Sequence, residues 1–405
     1  MLAALLFLQA VDYTADGLKA LDAGQYQAAA EAFQKVVAAD PGDFAAHFNL
    51  ALAYGFLHRD GEGIAEYRKT LELKPGLYEA DLNCGILLLR QKDAAAAVAL
   101  LQDAAGQKPG EFRPRYYLAE AQFESGALEQ AAASYRLALE LDRKSAGAEL
   151  GLGRALARQQ KLAEAEPHYR QAVALDPKMA HWLLELAGLY EKDKQPAEAL
   201  AIYRQFPEDP AVQAHVGQMM LDGKQYAGAI SSLEEAFAKE PSQANRVALV
   251  QAYMLAKQPA KALPLAKEAV AAEPAGFEVR MMYGRALQDS RQFAAAAVQF
   301  QEALKLKPEN AAVWGEMGGV LLLADNLPDA LAAFQKARQL GQDTPGNCFF
   351  QAIVLDKMHY TKPAVTRQAM EAYQRFLGMS QGKNPDQEFQ ARQRARILRS
   401  ELERR

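Results

Sequence analysis

The histidines and carboxylates are the side chains with which this sequence could do catalytic or metal chemistry. A zinc protease needs two histidines four residues apart on one helix face, and hydrolases and nucleotide-binding enzymes need their own glycine-containing loops. None of these patterns occurs in the sequence. The six histidines are scattered along the chain: His47, His58, His168, His181, His215 and His359. We therefore expect no catalytic residue, no metal site and no cofactor, and we interpret the protein as a non-enzyme.

The two cysteines, Cys84 and Cys348, are too few for a disulfide framework and have no metal-ligand spacing. Both fall on apolar helix faces in the periodic pattern described below. We interpret them as small buried hydrophobic residues.

The charge balance argues against nucleic acid as a partner. Lysine and arginine number 46 and aspartate and glutamate 50, so the net charge is −4 and no overall basic field exists. An arginine-rich run does lie near the C-terminus: Arg392, Arg394, Arg396, Arg399, Arg404 and Arg405. Interleaved glutamates favour a solvated helix face, and contact with an acidic protein or phospholipid is the alternative.

Residues 1–10, MLAALLFLQA, form an apolar run. Its length suits a signal peptide and is too short for a membrane span, and no other stretch is long enough to cross a bilayer. We expect a periplasmic or secreted protein. The alternative is a cytoplasmic protein whose first helix begins with apolar residues, since no Lys or Arg precedes the run.

Any candidate site must be positioned by helices, because residues 311–344 show helical periodicity. Trp314, Met317 and Leu321 lie at i, i+3 and i+7, which is the spacing of one helix face. A second face follows with Ala330 and Phe334, after an interruption at residues 325–326. This stretch predicts two helices joined by a short turn.

The same pattern recurs along the chain with a nearly constant period. Prolines at the end of each unit lie 33 or 34 residues apart in two series: Pro41, Pro75 and Pro109, with Pro177 later, and then Pro241, Pro274 and Pro308. Proline ends one helix and begins the next with φ already set. A fixed period of this length predicts a solenoid of stacked helix pairs.

The residues of 311–344 resemble the signature of the tetratricopeptide repeat (TPR) family, with Met317 in place of the usual Leu and Leu321 in place of Tyr. The resemblance implies an all-α, right-handed α-solenoid over residues 11–377. The units are expected near 10–43, 44–77, 78–111, 112–145, 146–179, 180–209, 210–243, 244–276, 277–310, 311–344 and 345–377. A turn at 378–384 and a capping helix at 385–405 would follow.

In TPR arrays the first helix of each pair lines a concave groove. The resemblance therefore implies a set of contact positions, which we name the inner groove: Phe48, Asn49, Leu52, Phe56, Leu82, Asn83, Ile86, Arg90, Tyr116, Glu120, Arg154, Arg158 and Glu185. Whether the aromatic members are exposed for a ligand or buried by a tight superhelix is left open by the sequence. Repeats that clamp a chaperone's C-terminal carboxylate carry Lys, Asn and Arg where Phe48, Leu82 and Tyr116 stand, so that ligand is not expected.

We interpret the chain as a scaffold that binds a peptide or a partner helix in this groove. The alternative is a structural assembly factor for an envelope or secretion complex, which would dock through its outer surface or its Arg-rich C-terminal helix. An accessory role, presenting substrates to a separate enzyme, is a third interpretation. The identity of the protein partner and the oligomeric state cannot be read from the residues.

Overall fold

The computed structural model describes residues 13–359 and 362–404, so the apolar run at 1–10 and Arg405 lie outside the described residues. Helices account for the regular structure of these residues, and the all-α fold of consecutive helix pairs predicted from the sequence is confirmed. The chain divides into two compact units, Met1–Ile202 and Tyr203–Arg405.

The first unit begins with helical residues 13–22, here α1. Its later helices are α2 (Tyr26–Ala39), α3 (Phe44–Phe56), α4 (Asp60–Leu73), α5 (Tyr78–Arg90), α6 (Ala94–Gln107), α7 (Phe112–Glu124), α8 (Leu128–Leu141), α9 (Ala146–Arg158), α10 (Leu162–Leu175) and α11 (Trp182–Lys192). A short 3-10 helix, Pro177–His181, precedes α11. The division between the units falls within α12 (Pro196–Tyr203), which has 8 residues where α2 and α4 have 14.

The second unit continues the pairing of helices. It contains α13 (Pro210–Asp222), α14 (Tyr226–Lys239), α15 (Gln243–Leu255), α16 (Pro259–Ala272), α17 (Phe277–Asp289), α18 (Phe293–Leu306), α19 (Ala311–Leu323), α20 (Leu327–Gln339), α21 (Pro345–Met358), α22 (Pro363–Ser380) and α23 (Pro385–Glu403).

Glycine makes close packing possible between the two helices of a pair. A Cβ added to Gly284 would lie 2.5 Å from the Phe300 ring, and one added to Gly318 would lie 2.9 Å from the Phe334 ring. Both rings are fully buried. At these positions a small residue on the first helix therefore lets a large ring on the second helix approach its backbone.

The turn inside each pair uses a left-handed residue at a repeating position. His58, Lys92, Gln160 and Lys194 have φ between 57 and 63°, and Gly126 has φ 84°. Steps of 34 residues, or twice that, separate them, which matches the sequence period. The turn therefore has one backbone geometry although its residue types differ.

The C-terminal helix α23 is held by side chains that the sequence pattern did not identify. Asn384, which looks like a helix cap, makes no capping hydrogen bond, and its amide donates to Ser380 instead. The carboxylate of Glu388 accepts from the backbone N–H of Gly382 at 2.6 Å. Arg394 donates two hydrogen bonds to the buried Asp356 of α21, at 2.7 and 2.6 Å.

Candidate functional site

The predicted inner groove residues all lie on first helices of pairs in the first unit. Four are on α3, four on α5, two each on α7 and α9, and one on α11. Ile86 and Arg90 of α5 line one cleft with Tyr116 and Glu120 of α7, and Arg154 of α9 contacts Glu185 of α11.

A cleft of about 700 Å³ opens between α5 and α7. Ile86, Arg90, Tyr116 and Glu120 from the predicted set line it. Residues that the sequence did not point to complete the lining: Leu89, Lys92, Ala94, Tyr117 and Glu124. The cleft thus combines an apolar and aromatic surface with cationic side chains from the α5 end and carboxylates from α7, a composition that suits a peptide with both apolar and charged groups.

The carboxylate of Glu120 is the most strongly constrained polar group of this cleft. It accepts a hydrogen bond of 2.5 Å from the hydroxyl of Tyr135 on α8 and a second one from Tyr116. Burial raises the pKa of Glu120 above its ordinary value, although both tyrosines and the nearby Arg154 act in the opposite direction. The hydrogen bonds fix the carboxylate before any ligand arrives.

Gly151 explains why Tyr135 reaches Glu120. A Cβ at Gly151 would lie 2.7 Å from the Tyr135 hydroxyl oxygen and closer still to the ring carbons. In two other repeats a polar side chain occupies the position equivalent to residue 151, and the tyrosine equivalent to Tyr135 bonds to it. Tyr67 hydrogen-bonds to Asn83, and Tyr169 donates to Glu185 at 2.8 Å. The absence of a side chain at residue 151 lets the Tyr135 ring pass over the backbone of α9.

Arg154 connects the cleft to the next repeat. Its Nε lies 3.4 Å from Glu185, and its guanidinium lies over the Phe123 ring on one helix and the Trp182 ring on another, at 5.0 and 4.7 Å. The guanidinium of Arg158 also lies over the Phe123 ring, 4.1 Å from its centre. Cations stacked on aromatic rings are held in position.

The remaining predicted positions have different roles. Phe48 packs edge-on against Tyr67, with 5.6 Å between ring centres, and Phe56 stacks on Tyr26 at 4.4 Å with 51% of its surface exposed. Asn49 and Leu52 are half-buried on α3. Phe56 is therefore an accessible ring near the turn, whereas Phe48 is partly covered by the protein itself.

Two predicted contact residues also serve the fold. Leu82 is only 4% exposed and belongs to the core formed around Leu101 and Leu118, so it has little surface to offer a ligand. The periodic pattern fixes a residue's helix face, but the degree of burial depends on how neighbouring repeats cover that face. Arg90 donates to the backbone carbonyl of Gly55 at 3.2 Å and lies 2.9 Å from Asp60. Arg90 therefore bridges two repeats.

Sequence reasoning missed the tyrosines that orient the groove carboxylates, Tyr135 and Tyr169, because both rings are buried on second helices of their pairs. It also missed a second Arg–Glu bridge, between Arg285 and Glu316 in the second unit, with distances of 2.9 and 2.7 Å. This pair has the same separation of 31 residues as Arg154 and Glu185. A comparison of the charged residues at one repeat position would have found it.

The structure describes the side chains that can bind metals, the cysteines and the helix lengths over residues 13–359 and 362–404. No three His, Cys, Asp or Glu side chains in these ranges form a metal-binding group. Both cysteines are buried and unpaired, as the sequence predicts, and burial raises the pKa of the Cys84 thiol to about 11. None of the described helices is long and apolar enough to traverse a bilayer.

Comparisons with known proteins agree with the repeat architecture. Two tetratricopeptide repeat models match the chain, one at residues 14–78, 150–212 and 281–345, the other at 88–150. These segments together cover more than half of the chain.

A relative in Triticum aestivum, an "Hsp70-Hsp90 organizing protein", is 29% identical over 113 residues, which are 28% of this chain. The match spans only 19% of that relative's length. Among solved structures, MamA from Desulfovibrio magneticus RS-1 is 20% identical with a TM-score of 0.40, covering 42% of this chain and 96% of MamA. A second MamA structure, AMB-1, is 24% identical with a TM-score of 0.40, covering 42% and 99%.

The helix pairs, their repeating turn and the extent of the family-model matches lead to one conclusion: the chain belongs to the tetratricopeptide repeat family.

Proposed function

We propose that this protein is a non-enzymatic scaffold that binds a peptide or a partner helix in the inner groove of its first unit. Membership of the tetratricopeptide repeat family supports a role in protein interaction. The finer assignment rests on one observation, the cleft between α5 and α7 in which a fixed carboxylate, Glu120, lies beside the apolar Ile86 and the ring of Tyr116.

The chemistry of the cleft favours a segment that alternates apolar and charged side chains. Ile86 and Leu89 supply apolar surface, Arg90 and Lys92 supply positive charge, and Glu124 adds a second carboxylate beside Glu120. Because Glu120 and Arg154 are already hydrogen-bonded or stacked, a ligand would lose little free energy in ordering them.

Site-specific photocrosslinking tests this proposal. We would place a photoreactive amino acid at Ile86 or Tyr116, both half-buried in the cleft, and at Leu100 on α6 as a matched half-buried control. The proposal expects a specific protein adduct from the two cleft positions and none from the control. Equal labelling at all three positions, or labelling only at the control, would refute it.

A substitution pair gives an independent measurement. Ile86→Glu places a charge in the cleft, whereas Leu100→Glu places the same charge at a position that packs on the same core outside the cleft. We expect the first variant to lose at least about tenfold in affinity for the crosslinked peptide, because a buried apolar contact is replaced by a charge. The second variant should bind as the wild type does.

The alternative function, assembly of an envelope or secretion complex through the C-terminal helix, is favoured by two exposed apolar residues of α23. Phe389 is 64% exposed and Ile397 is 43% exposed. Phe389→Ser with Ile397→Ser should abolish complex formation if α23 is the docking element, while Ile86→Glu should leave it intact. The reverse pattern would assign the function to the inner groove.

We also propose export of the protein, on the basis of the apolar run at residues 1–10. N-terminal sequencing of the protein from its native host tests this. A mature N-terminus near residue 11 supports export, and retention of residue 1 contradicts it.

A further inference from the structure

The second unit carries a surface that the inner groove does not explain. Helices α18 and α20 lie on either side of α19, and a trench of about 900 Å³ runs between them. Met317 and Leu321 of α19 lie at its floor, each 9% exposed, whereas Val298 on the α18 wall is 50% exposed. We name this surface the α18–α20 trench.

Small side chains keep the trench open. The lining positions of α18 include Ala294 and Ala297, and those of α20 include Ala332 and Ala333. Both helices pack on α19, and alanine side chains are too short to fill the space between them. A helix bound in the trench would measure about 10–12 Å across with its side chains. The trench is concave and lined mostly by apolar residues, which is the kind of surface that binds ligands.

Charge along the trench is asymmetric. Because α18 and α20 are both antiparallel to α19, their C-terminal ends lie at the same end of the trench. Lys305 and Lys336 line that end, and Asp329 lies toward the other. Lys305 is paired with Glu302 at 2.6 Å, and Asp329 accepts from the amide of Asn326 at 2.8 Å. Lys336 has no ion-pair or hydrogen-bond partner among the described residues, so its charge is available.

We propose that the α18–α20 trench binds an amphipathic helix of a partner protein, with the apolar face of that helix on Met317, Leu321 and Val298. Acidic residues at one end of the partner helix lie against Lys336 and Lys305. The apolar residues of such a helix recur at i, i+3 or i+4 and i+7, which matches a trench walled by two helices. The positive end fixes the direction of the bound helix.

This inference is independent of the inner groove, since every trench residue lies in the second unit and every groove residue in the first. A peptide can therefore bind the trench whether or not the groove proposal is correct.

A defined peptide tests the proposal with the full-length chain. The probe is a fluorescein-labelled peptide of about 14 residues, roughly four helical turns. It carries leucines along one face and glutamates at one end, and a matched peptide carries lysines in place of the glutamates. We expect saturable binding of the acidic peptide, with the basic peptide weaker by at least about tenfold. Equal affinity for the two peptides, or no binding of either, would overturn the proposal.

Substitutions locate the binding surface. Val298→Glu should weaken the acidic peptide by at least about tenfold, whereas Leu306→Glu, on the same helix but outside the trench, should leave the affinity unchanged. Lys336→Glu should reduce the preference for the acidic peptide over the basic one. Circular dichroism melting confirms that each variant is folded. An equal effect of Val298→Glu and Leu306→Glu would contradict the assignment.

A second copy of the chain is the competing occupant. Light scattering on the wild type and on Val298→Glu distinguishes it. A dimeric wild type that becomes monomeric in Val298→Glu would assign the trench to self-association and overturn the partner-helix proposal. A mass that is the same for both proteins supports the proposal.

Discussion

Gly151 and Tyr135 show how one missing side chain redirects a polar group. Tyr67 and Tyr169 hydrogen-bond to a side chain at the position that Gly151 occupies in its own repeat. Tyr135 has no such side chain opposite it on α9, and its hydroxyl donates instead to Glu120 on α7. The carboxylate in the cleft is thus fixed by a glycine that it does not touch.

Gly151→Ala tests this relation. The new Cβ would collide with the Tyr135 ring, and overpacking of this kind costs about 1–3 kcal/mol. We expect a lower midpoint in urea denaturation and a weaker Tyr135–Glu120 hydrogen bond. Gly106→Ala is the control, because no atom lies within 4 Å of the added Cβ. An unchanged stability of Gly151→Ala would contradict the proposed collision.

The raised pKa of Glu120 predicts a pH-dependent stability. Because the folded chain holds this proton more tightly than the unfolded chain, the contribution is fully present below the unfolded pKa of about 4.3 and is lost as pH rises through the folded pKa. Glu120→Gln removes the ionisation. Relative to this variant, the wild type should therefore become less stable as pH rises from about 4, and the difference should level off above the folded pKa.

Urea denaturation at a series of pH values measures this difference. Glu129→Gln, at an exposed position of α8, is the matched control for removal of a carboxylate. A wild type that gains stability over Glu120→Gln with rising pH would have the opposite sign and would contradict the assignment.

At the scale of the helix, the C-terminal element shows what the sequence pattern missed. The apolar positions of α23 were predictable from spacing, and Ala391 and Leu398 are indeed buried. The ion pair of Arg394 was not predictable from spacing, because its partner, Asp356, lies 38 residues earlier. An arginine in a charged run on a predicted helix is typical of a solvated face.

Arg394→Leu should loosen α23. Loss of one partner of a fully buried ion pair costs about 3–5 kcal/mol, and the 40% exposure of the Arg394 side chain reduces the expected cost to about 2 kcal/mol. The Tyr373 hydroxyl, which donates to Asp356 at 3.0 Å, compensates only in part. Limited proteolysis should cut α23 faster in this variant than in Arg399→Leu, an exposed control. Equal rates would show that the Arg394–Asp356 pair does not hold the helix.

The same limit applies to the inner groove. The resemblance to tetratricopeptide repeats implied that its residues lie on first helices, and they do. It did not predict that Leu82 is buried or that Arg90 bridges two repeats, because both depend on how closely one repeat packs on the next. The repeat period determines on which face of a helix a residue lies. How much of that face is buried depends on how two neighbouring repeats pack.

At the scale of the molecule, the chain offers separate surfaces on separate units. The inner groove lies in the first unit, and the α18–α20 trench and the exposed residues of α23 lie in the second. Solenoid stability arises mainly between neighbouring repeats, so a substitution in one surface should have little effect on a distant one. This makes the full-length chain suitable for testing each surface by itself.

Hydrogen–deuterium exchange of the full-length chain, with and without the peptide recovered by crosslinking at Ile86, tests the central claim most directly. Because binding stabilises the elements that contact a ligand, exchange should slow in α5 and α7, around Ile86–Arg90 and Tyr116–Glu120. Exchange in α18, α20 and α23 should stay the same. Protection confined to α23 or to the α18–α20 trench, with α5 and α7 unchanged, would contradict the assignment of the inner groove as the binding surface.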